Sequence, residues 1–503
     1  MEIQPRKYQQ AIFETAKNKN TLVVLPTGLG KTLIALMLAQ ERLKFYSGKV
    51  LFLAPTRPLV EQHYNYFKKY LNYEMHIFTG KINAKKRAEL WKRAQIIFST
   101  PQCIENDLKN ELISLEDVVL LIEDEAHRCL KNYSYTYVAK IYLQQAKNPR
   151  LLGLTASPGS DPSTIKEICK NLNIEAVEVR TRESEDVKPY LQKLEKEIVK
   201  VELTQEMLQV QEVLQKLFEK KVTELKNRGL FFGKPTKKNL LELQRKLTNM
   251  VMTGNKHFNV LKGLSAASQL IKLYHALEML ETQGVEQCYA YLNELFEQAN
   301  KKKSRGVRQL VKAKEFGEAY LILTKLFQEG AEHPKLEKLK EIVQREIANK
   351  PELKAIIFSQ YRDSVRKIVE VLTAMGIKSK IFIGQAKRKI EGLTQIEQQA
   401  ILREFAQGRI NVLVSTSIGE EGLDLPEVDL VVFYEPIPSA IRKIQRAGRT
   451  ARLKPGKLII LVTKGTRDES YYWSAYYKEK KMYSTLKNIN NVLKKTEKQK
   501  TLF

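Results

Sequence analysis

The sequence lacks the features that would place a chain in a membrane or outside a cell. Its apolar runs are short, with five residues each in Val118-Val119-Leu120-Leu121-Ile122 and Leu458-Ile459-Ile460-Leu461-Val462, whereas a spanning helix needs about 18 or more. The opening Met1-Glu2-Ile3-Gln4-Pro5-Arg6 has no leader-like apolar stretch, so a cytoplasmic location is expected. Cysteine is scarce. Cys103, Cys129, Cys169 and Cys288 stand too far apart for a zinc knuckle and are too few for a disulfide framework. Acidic residues are outnumbered, 57 against 85 Lys and Arg, which leaves a formal charge of +28 on 503 residues. A surplus of that size commonly serves a polyanion; a Lys-rich solvated surface is the plainer alternative. A hydrophobic content of 43 % excludes full disorder.

Through about residue 180, short β-branched runs alternate with amphipathic stretches. Residues 21–25, 50–54, 96–99, 118–122 and 151–154 read as strands. Their continuous apolar character predicts a parallel sheet covered on both faces. From 185 to 350 the pattern changes. Leu203, Met207, Val210, Leu214, Leu217 and Leu225 mark the seam of an amphipathic helix, and clear strand runs are absent from most of the stretch. Strands resume at 355–358, 380–383, 412–414, 430–433 and 458–462. The expected class is α/β, with two parallel-sheet units at 1–185 and 351–503 and an all-helical insertion at 186–350. The last 26 residues carry eight Lys and two Glu and predict a helix that frays into a basic tail.

Leu25-Pro26-Thr27-Gly28-Leu29-Gly30-Lys31-Thr32 follows a strand and opens a helix, the context a phosphate-binding loop requires. Backbone N–H groups and the helix N-terminus face the phosphates there. Lys31 reaches the β- and γ-phosphates of ATP, and the Thr32 hydroxyl ligates magnesium. Leu25 replaces the usual first Gly, and an incidental Gly-rich turn is the alternative. Asp124-Glu125-Ala126-His127 follows the strand at 118–122. Carboxylates at a strand end in such a sheet point into the ligand crevice, where Asp124 holds magnesium and Glu125 deprotonates the attacking water. Arg449 and Arg452 lie three apart on one helix face, in the other α/β unit. As arginine fingers they tie hydrolysis to closure of the two units; a basic face on nucleic acid or solvent is the alternative.

Taken together these residues resemble the DEAH-box helicases of superfamily 2. Arg6-Lys7-Tyr8-Gln9 is similar to the adenine-reading motif. Residues 54–60, Thr79-Gly80 and residues 99–102 resemble motifs Ia, Ib and Ic. Residues 155–158, 357–361, 414–424 and 445–452 resemble motifs III, IV, V and VI. The resemblance implies two RecA-like domains sharing ATP. It implies nucleotide contacts from Arg6, Gln9, Gly422 and Asp424, and backbone phosphate contacts from Thr56, Arg57, Gly80, Thr100, Ser359 and Thr416. His127, Thr155, Ser157 and Gln445 would couple the two sites; capping of strand ends is the alternative for Thr155 and Ser157. Ala451 stands where the family has Gly.

The helical insert, the spelling of residues 25–32, and Gly465-Thr466-Arg467-Asp468-Glu469 leading into Tyr471-Tyr472-Trp473 resemble, more narrowly, the Hef helicase–nucleases and their FANCM relatives. That implies a DNA translocase for forks and four-way junctions, with the insert gripping branched duplex. The nuclease signature of that family is not matched, so a nuclease domain is expected to be absent from this chain. Gln499-Lys500-Thr501-Leu502-Phe503 is similar to the start of a sliding-clamp-binding peptide. The aromatics Tyr471, Tyr472, Trp473, Tyr476 and Tyr477 are expected to pack a C-terminal helix on the second unit, with base stacking as the alternative. His257, His275 and His333 have no spaced partners and read as ordinary polar positions. Two other functions remain open at this level. One is a motor on double-stranded RNA, although the spaced cysteines of the innate-immune RNA helicases are missing. The other is a catalytically silent basic scaffold, against which the intact Lys31, Asp124, Glu125, Arg449 and Arg452 argue.

Overall fold

The computed structural model describes residues 4–301, 304–384, 392–416, 426–451 and 454–500, with side chains described to residue 493. A first sheet joins β1 (Thr21–Val24), β2 (Lys49–Leu53), β3 (Met75–Phe78), β4 (Ile96–Ser99), β5 (Val118–Asp124), β6 (Leu151–Thr155) and β7 (Ala176–Val179). Their order is β3-β4-β2-β5-β6-β1-β7, and the pairings are parallel. Side chains alternate between the two faces. Leu22, Leu51, Ile97 and Leu121 enter one core, while Val23, Phe52, Phe98 and Ile122 enter the other. Two helix layers therefore cover the sheet, which is why its strands are apolar throughout rather than alternating.

A second parallel sheet joins β8 (Leu194–Val201), β9 (Ala355–Phe358), β10 (Ser379–Phe382), β11 (Val412–Ser415), β12 (Leu430–Phe433) and β13 (Gly456–Thr463), in the order β10-β11-β9-β12-β13-β8. Between β8 and β9 the helices Gln205–Asn227, Lys237–Met252, Phe258–Thr282, Val285–Asn300, Arg305–Val311 and Lys314–Gln328 share one core, with Met207, Leu214, Leu270, Leu277, Leu292 and Phe316 at its centre. In a parallel sheet followed by helices, the loops that carry function gather at the C-terminal strand ends. That one rule places nearly every residue discussed below.

The insert is narrower than its sequence suggests. β8 lies inside the stretch read as all-helical, yet it forms the edge of the second sheet beside β13. Its signal is weak because Glu195, Lys196 and Glu197 leave it half polar, as suits an edge strand. The helix Pro334–Asn349 also belongs to the second lobe, where Leu336, Leu339, Ile342 and Val343 pack with β9 and β12. The C-terminal helix, Arg467–Lys500, does not stay on the second lobe. It starts there and crosses to the first, burying Met482 and Leu486 among Val138, Ile165 and Val177. The aromatic cluster divides accordingly: Tyr471 and Tyr472 are half-buried, whereas Trp473, Tyr476 and Tyr477 are exposed. No described helix is long and apolar enough to cross a membrane. The four cysteines are buried and unbridged.

Candidate nucleotide site and interlobe cleft

The loop between β1 and the helix Lys31–Phe45 is held by the helix Lys7–Asn18. The Tyr8 hydroxyl and the Gln9 amide both donate to the Leu29 carbonyl, at 2.8 and 3.2 Å. The Gln9 carbonyl accepts from the Arg6 N–H at 2.9 Å, and the Arg6 guanidinium lies over the Tyr190 ring. Gly30 adopts φ +78°, and a Cβ there would come within 2.3 Å of the Gln9 amide nitrogen. The tight loop and its brace thus require glycine at this position. In this arrangement Gln9 grips the loop itself. Lys31 donates to the Leu25 carbonyl at 3.0 Å, which keeps its ammonium over the loop.

β5 delivers the carboxylates. Asp124 ends the strand, and Glu125 follows with φ +53°. A residue that the sequence did not flag meets Asp124: the His63 Nε2 lies 2.8 Å from its Oδ2. Burial alone would raise the pKa of Asp124, but His63 and Lys31 outweigh it and hold the carboxyl below its ordinary value. The Tyr135 hydroxyl donates to the Asp124 carbonyl at 2.7 Å and fixes the strand end. Beyond it, the Glu125 Oε2 lies 3.3 Å from the His127 Nδ1, and the same nitrogen lies 3.2 Å from the Thr155 hydroxyl. The Ser157 N–H donates to that hydroxyl at 3.1 Å, and the Ser157 hydroxyl donates to the Met482 sulfur at 2.9 Å. Polar contacts therefore lead from His127, beside the second acidic residue, through Thr155 and Ser157 to the C-terminal helix.

The second lobe closes the cleft. Gly448, at the end of the helix Ala440–Ala447, faces Thr27 so closely that a Cβ would sit 2.8 Å from the Thr27 Cβ. A cleft of about 750 Å³ results. It is lined from one lobe by Thr27, Gly28, Gly30, Lys31, Thr32, Asp124 and Glu125, and from the other by Gln445 and Arg449. Arg446 between them is fully buried, its guanidinium over the Phe358 and Phe433 rings, so it shapes the lobe. Arg452, Gly422 and Asp424 lie outside the described residues, as do residues 501–503 of the clamp-peptide resemblance. Pro26 and Leu29 belong to the same loop, and Leu25 is buried beneath it.

The residues assigned to nucleic acid follow adjacent strands. Thr56, Thr100 and Gly80 come just after β2, β4 and β3, and Arg57 opens the helix Arg57–Lys68. The Arg57 guanidinium donates to Glu61 at 2.7 Å. Gly80 is exposed with open space around it, while the Thr100 hydroxyl donates to the Cys103 sulfur at 3.3 Å. Thr416 directly follows β11 and is buried. Ser359 departs from expectation: it is fully buried, and its hydroxyl donates to Glu435 at 3.1 Å. It offers no hydroxyl to a ligand at the surface, because the neighbouring carboxylate competes for it.

Three family models match the chain. A DEAD/DEAH box helicase model covers residues 6–165, a helicase conserved C-terminal domain covers 334–454, and a helical bundle described for ATP-dependent RNA helicases covers 194–330. A Methanocaldococcus jannaschii protein named as an ATP-dependent RNA helicase is 43 % identical over 98 % of this chain and 62 % of its own length. The DEAD-box ATP-dependent RNA helicase FANCM of Arabidopsis thaliana is 36 % identical over 93 % of this chain and 35 % of its own. The ATP-dependent DNA helicase mph1 of Neurospora crassa is 32 % identical over 93 % and 41 %. The chain thus spans less than two thirds of the curated relatives it matches. The crystal structure of the Pyrococcus furiosus Hef helicase domain superposes with a TM-score of 0.74 at 45 % identity, covering 94 % of this chain and 98 % of that one.

Proposed function

Because the chain belongs to the DEAD/DEAH-box helicases of superfamily 2, in the group of the Hef helicase domain, we propose that it is an ATP-driven translocase acting on branched DNA such as forks and four-way junctions. The observation that carries this reading is the cleft shared by Lys31, Thr32, Asp124 and Glu125 from one lobe and Gln445 and Arg449 from the other. The N–H groups of residues 28–32 and the N-terminus of a 15-residue helix suit a triphosphate. Lys31 neutralises its distal charge. A hydroxyl from Thr32 and a carboxylate held ionised at Asp124 are the hard oxygen donors that magnesium takes. That ion, when bound, offsets charge on the β- and γ-phosphates.

Glu125 orients a water and accepts its proton. Arg449 approaches the leaving charge from the opposite lobe, a contact worth about 10³ to 10⁵ in rate. Turnover is therefore tied to lobe closure. His127, Thr155 and Ser157 carry the change away from the site, and Thr56, Arg57, Gly80, Thr100 and Thr416 hold backbone phosphate without reading bases. The helical unit adds a grip on branched duplex. Its place between β8 and β9 makes it an extension of the second lobe.

A second reading, the same motor on duplex RNA, is favoured by the names of two relatives and of the helical-bundle model. One assay separates them: ATP turnover of the chain with forked DNA, linear duplex DNA and duplex RNA. Strongest stimulation by the fork supports the proposal, and strongest stimulation by RNA replaces it. Lys31→Ala is expected to abolish the stimulated turnover while leaving nucleic-acid binding intact. Unchanged turnover in that variant refutes the site.

A further inference from the structure

Trp473, Tyr476 and Tyr477 form a cluster of rings on the outer face of the C-terminal helix. Their exposures are 51, 43 and 62 %. The centroids lie 5.8 Å apart for Trp473–Tyr476, 6.1 Å for Trp473–Tyr477 and 5.5 Å for Tyr476–Tyr477. The spacing i, i+3, i+4 puts them on one stripe, while Ala475, Met482 and Leu486 of the same helix are buried on the opposite side. Three large rings held together in water form an apolar patch of the kind that marks an interaction site. None of the nucleotide or phosphate residues described above lies in it.

The charge around the patch selects the occupant. The Lys443 ammonium lies 5.8 Å from the Tyr476 ring centre. Of the acids on this helix near the rings, Glu479 is paired with that same Lys443 at 2.9 Å, and Glu469, one turn before Trp473, accepts from the Gly465 N–H at 3.2 Å. Lys480 and Lys481 stand exposed within the next turn of the helix, while the Lys478 ammonium donates to the Pro438 carbonyl at 2.7 Å. Aromatic faces interleaved with ammonium groups are what a single strand of nucleic acid recognises, its bases stacking while its phosphates meet the cations. We propose that Trp473, Tyr476 and Tyr477 form a stacking platform for the unpaired bases of a single-stranded tail, separate from the backbone contacts at the strand ends. This rests on the nucleic-acid reading above. It adds a second contact on the helix that joins the second lobe to the first, so that an unpaired arm is held while the lobes move on duplex.

Tryptophan emission tests it directly, because the other tryptophan, Trp91, is buried in the first lobe and Trp473 is the exposed reporter. The full chain is titrated with fluorescein-labelled oligothymidylate, reading anisotropy and tryptophan emission together, and with polyglutamate as an acidic polypeptide. The proposal expects saturable quenching in step with the rise in anisotropy, and no quenching by polyglutamate. Trp473→Ala with Tyr477→Ala is expected to bind a tailed fork roughly five- to a hundredfold more weakly. Blunt-duplex binding and blunt-duplex-stimulated ATP turnover should stay unchanged, and Trp473→Phe should restore most of the tail affinity. Anisotropy that rises while Trp473 emission stays constant overturns the platform and leaves the motor reading standing. Equal quenching by polyglutamate overturns it in favour of a protein-docking patch. No anisotropy change with any nucleic acid overturns both.

Discussion

Glu123 and Asp124 are neighbours on β5 with opposite electrostatic surroundings. Burial pushes the Glu123 carboxyl well above its ordinary value. Burial presses on Asp124 too, but His63 and Lys31 keep it low. Such a split between adjacent acids marks the one that works ionised. Removing His63 lets Asp124 keep its proton to higher pH. The acid limb of the ATP turnover profile is therefore expected to move upward in pH in His63→Ala, which a comparison of kcat against pH would show; coincident limbs would count against the contact. At Ala451 the backbone sits at φ +55° in a fully buried position. A left-handed L-residue costs about 1–2 kcal/mol, part of which glycine returns through unfolded-state entropy. Ala451→Gly should thus stabilise the chain by about 0.5–1 kcal/mol, read from denaturant midpoints at unchanged slope. Lys31, Thr32, Asp124 and Glu125 were legible because the chemistry of each is local to a strand end. His63 was not, since its partner lies 61 residues away and nothing in its own helix announces the meeting.

The elements that join the three bodies depend on buried polar pairs. Lys335, on the helix Pro334–Asn349, and Asp468, at the start of the C-terminal helix, form a fully buried ion pair, and Asp468 also accepts from the Thr463 N–H. Glu281 of the insert takes Arg467 at 2.5 Å and Gln211 at 3.1 Å. Losing one member of a buried pair strands the other charge, so Lys335→Met should cost about 3–5 kcal/mol. Lys335→Met with Asp468→Leu should recover most of it, short of the orphaned Thr463 N–H. Urea denaturation of the two singles and the double would give the coupling, and additive losses would contradict it. His333 is buried beside Lys335; burial, then that ammonium, lowers its pKa to about 3 from 6.5. The unfolded chain takes up this proton below 6.5 and the folded chain only near 3, so stability falls as pH drops through that window, by up to about 1.4 kcal/mol per unit. Burial pushes Glu435 up to about 7, and its contribution is lost as pH rises from 4.5 toward 7. The two slopes oppose each other between 4.5 and 6.5. His333→Asn should accordingly gain on the parent chain as pH falls from 6.5, whatever its offset at pH 7. Continuous apolar runs made the central strands readable. β3, β7 and β8, at or near sheet edges, carry polar residues and did not announce themselves, and the destination of the C-terminal helix depends on a surface of the first lobe that no local pattern encodes.

At the scale of the whole molecule the structure is two parallel sheets, a helical unit rooted in the second, and one long helix returning to the first. The alternation of strand and helix along the chain announced the class, and the motifs read from it lie at strand ends of both lobes. That Gly448 would face Thr27 was beyond it, because the fit between two lobes is decided by close approach of backbones rather than by pattern. The charge of +28 leads to a further expectation. If the phosphate contacts carry the binding, affinity for linear duplex should fall steeply and log-linearly with salt, measured by anisotropy between about 50 and 200 mM; a flat dependence would point away from the backbone. Coupling of turnover to lobe closure depends most directly on Arg449 acting across the cleft. Fork-stimulated ATP turnover of Arg449→Ala, with fork binding monitored in the same preparation, is the measurement that tests it. A loss of about a thousandfold or more with fork affinity retained is the predicted result, and turnover matching the parent chain would contradict it.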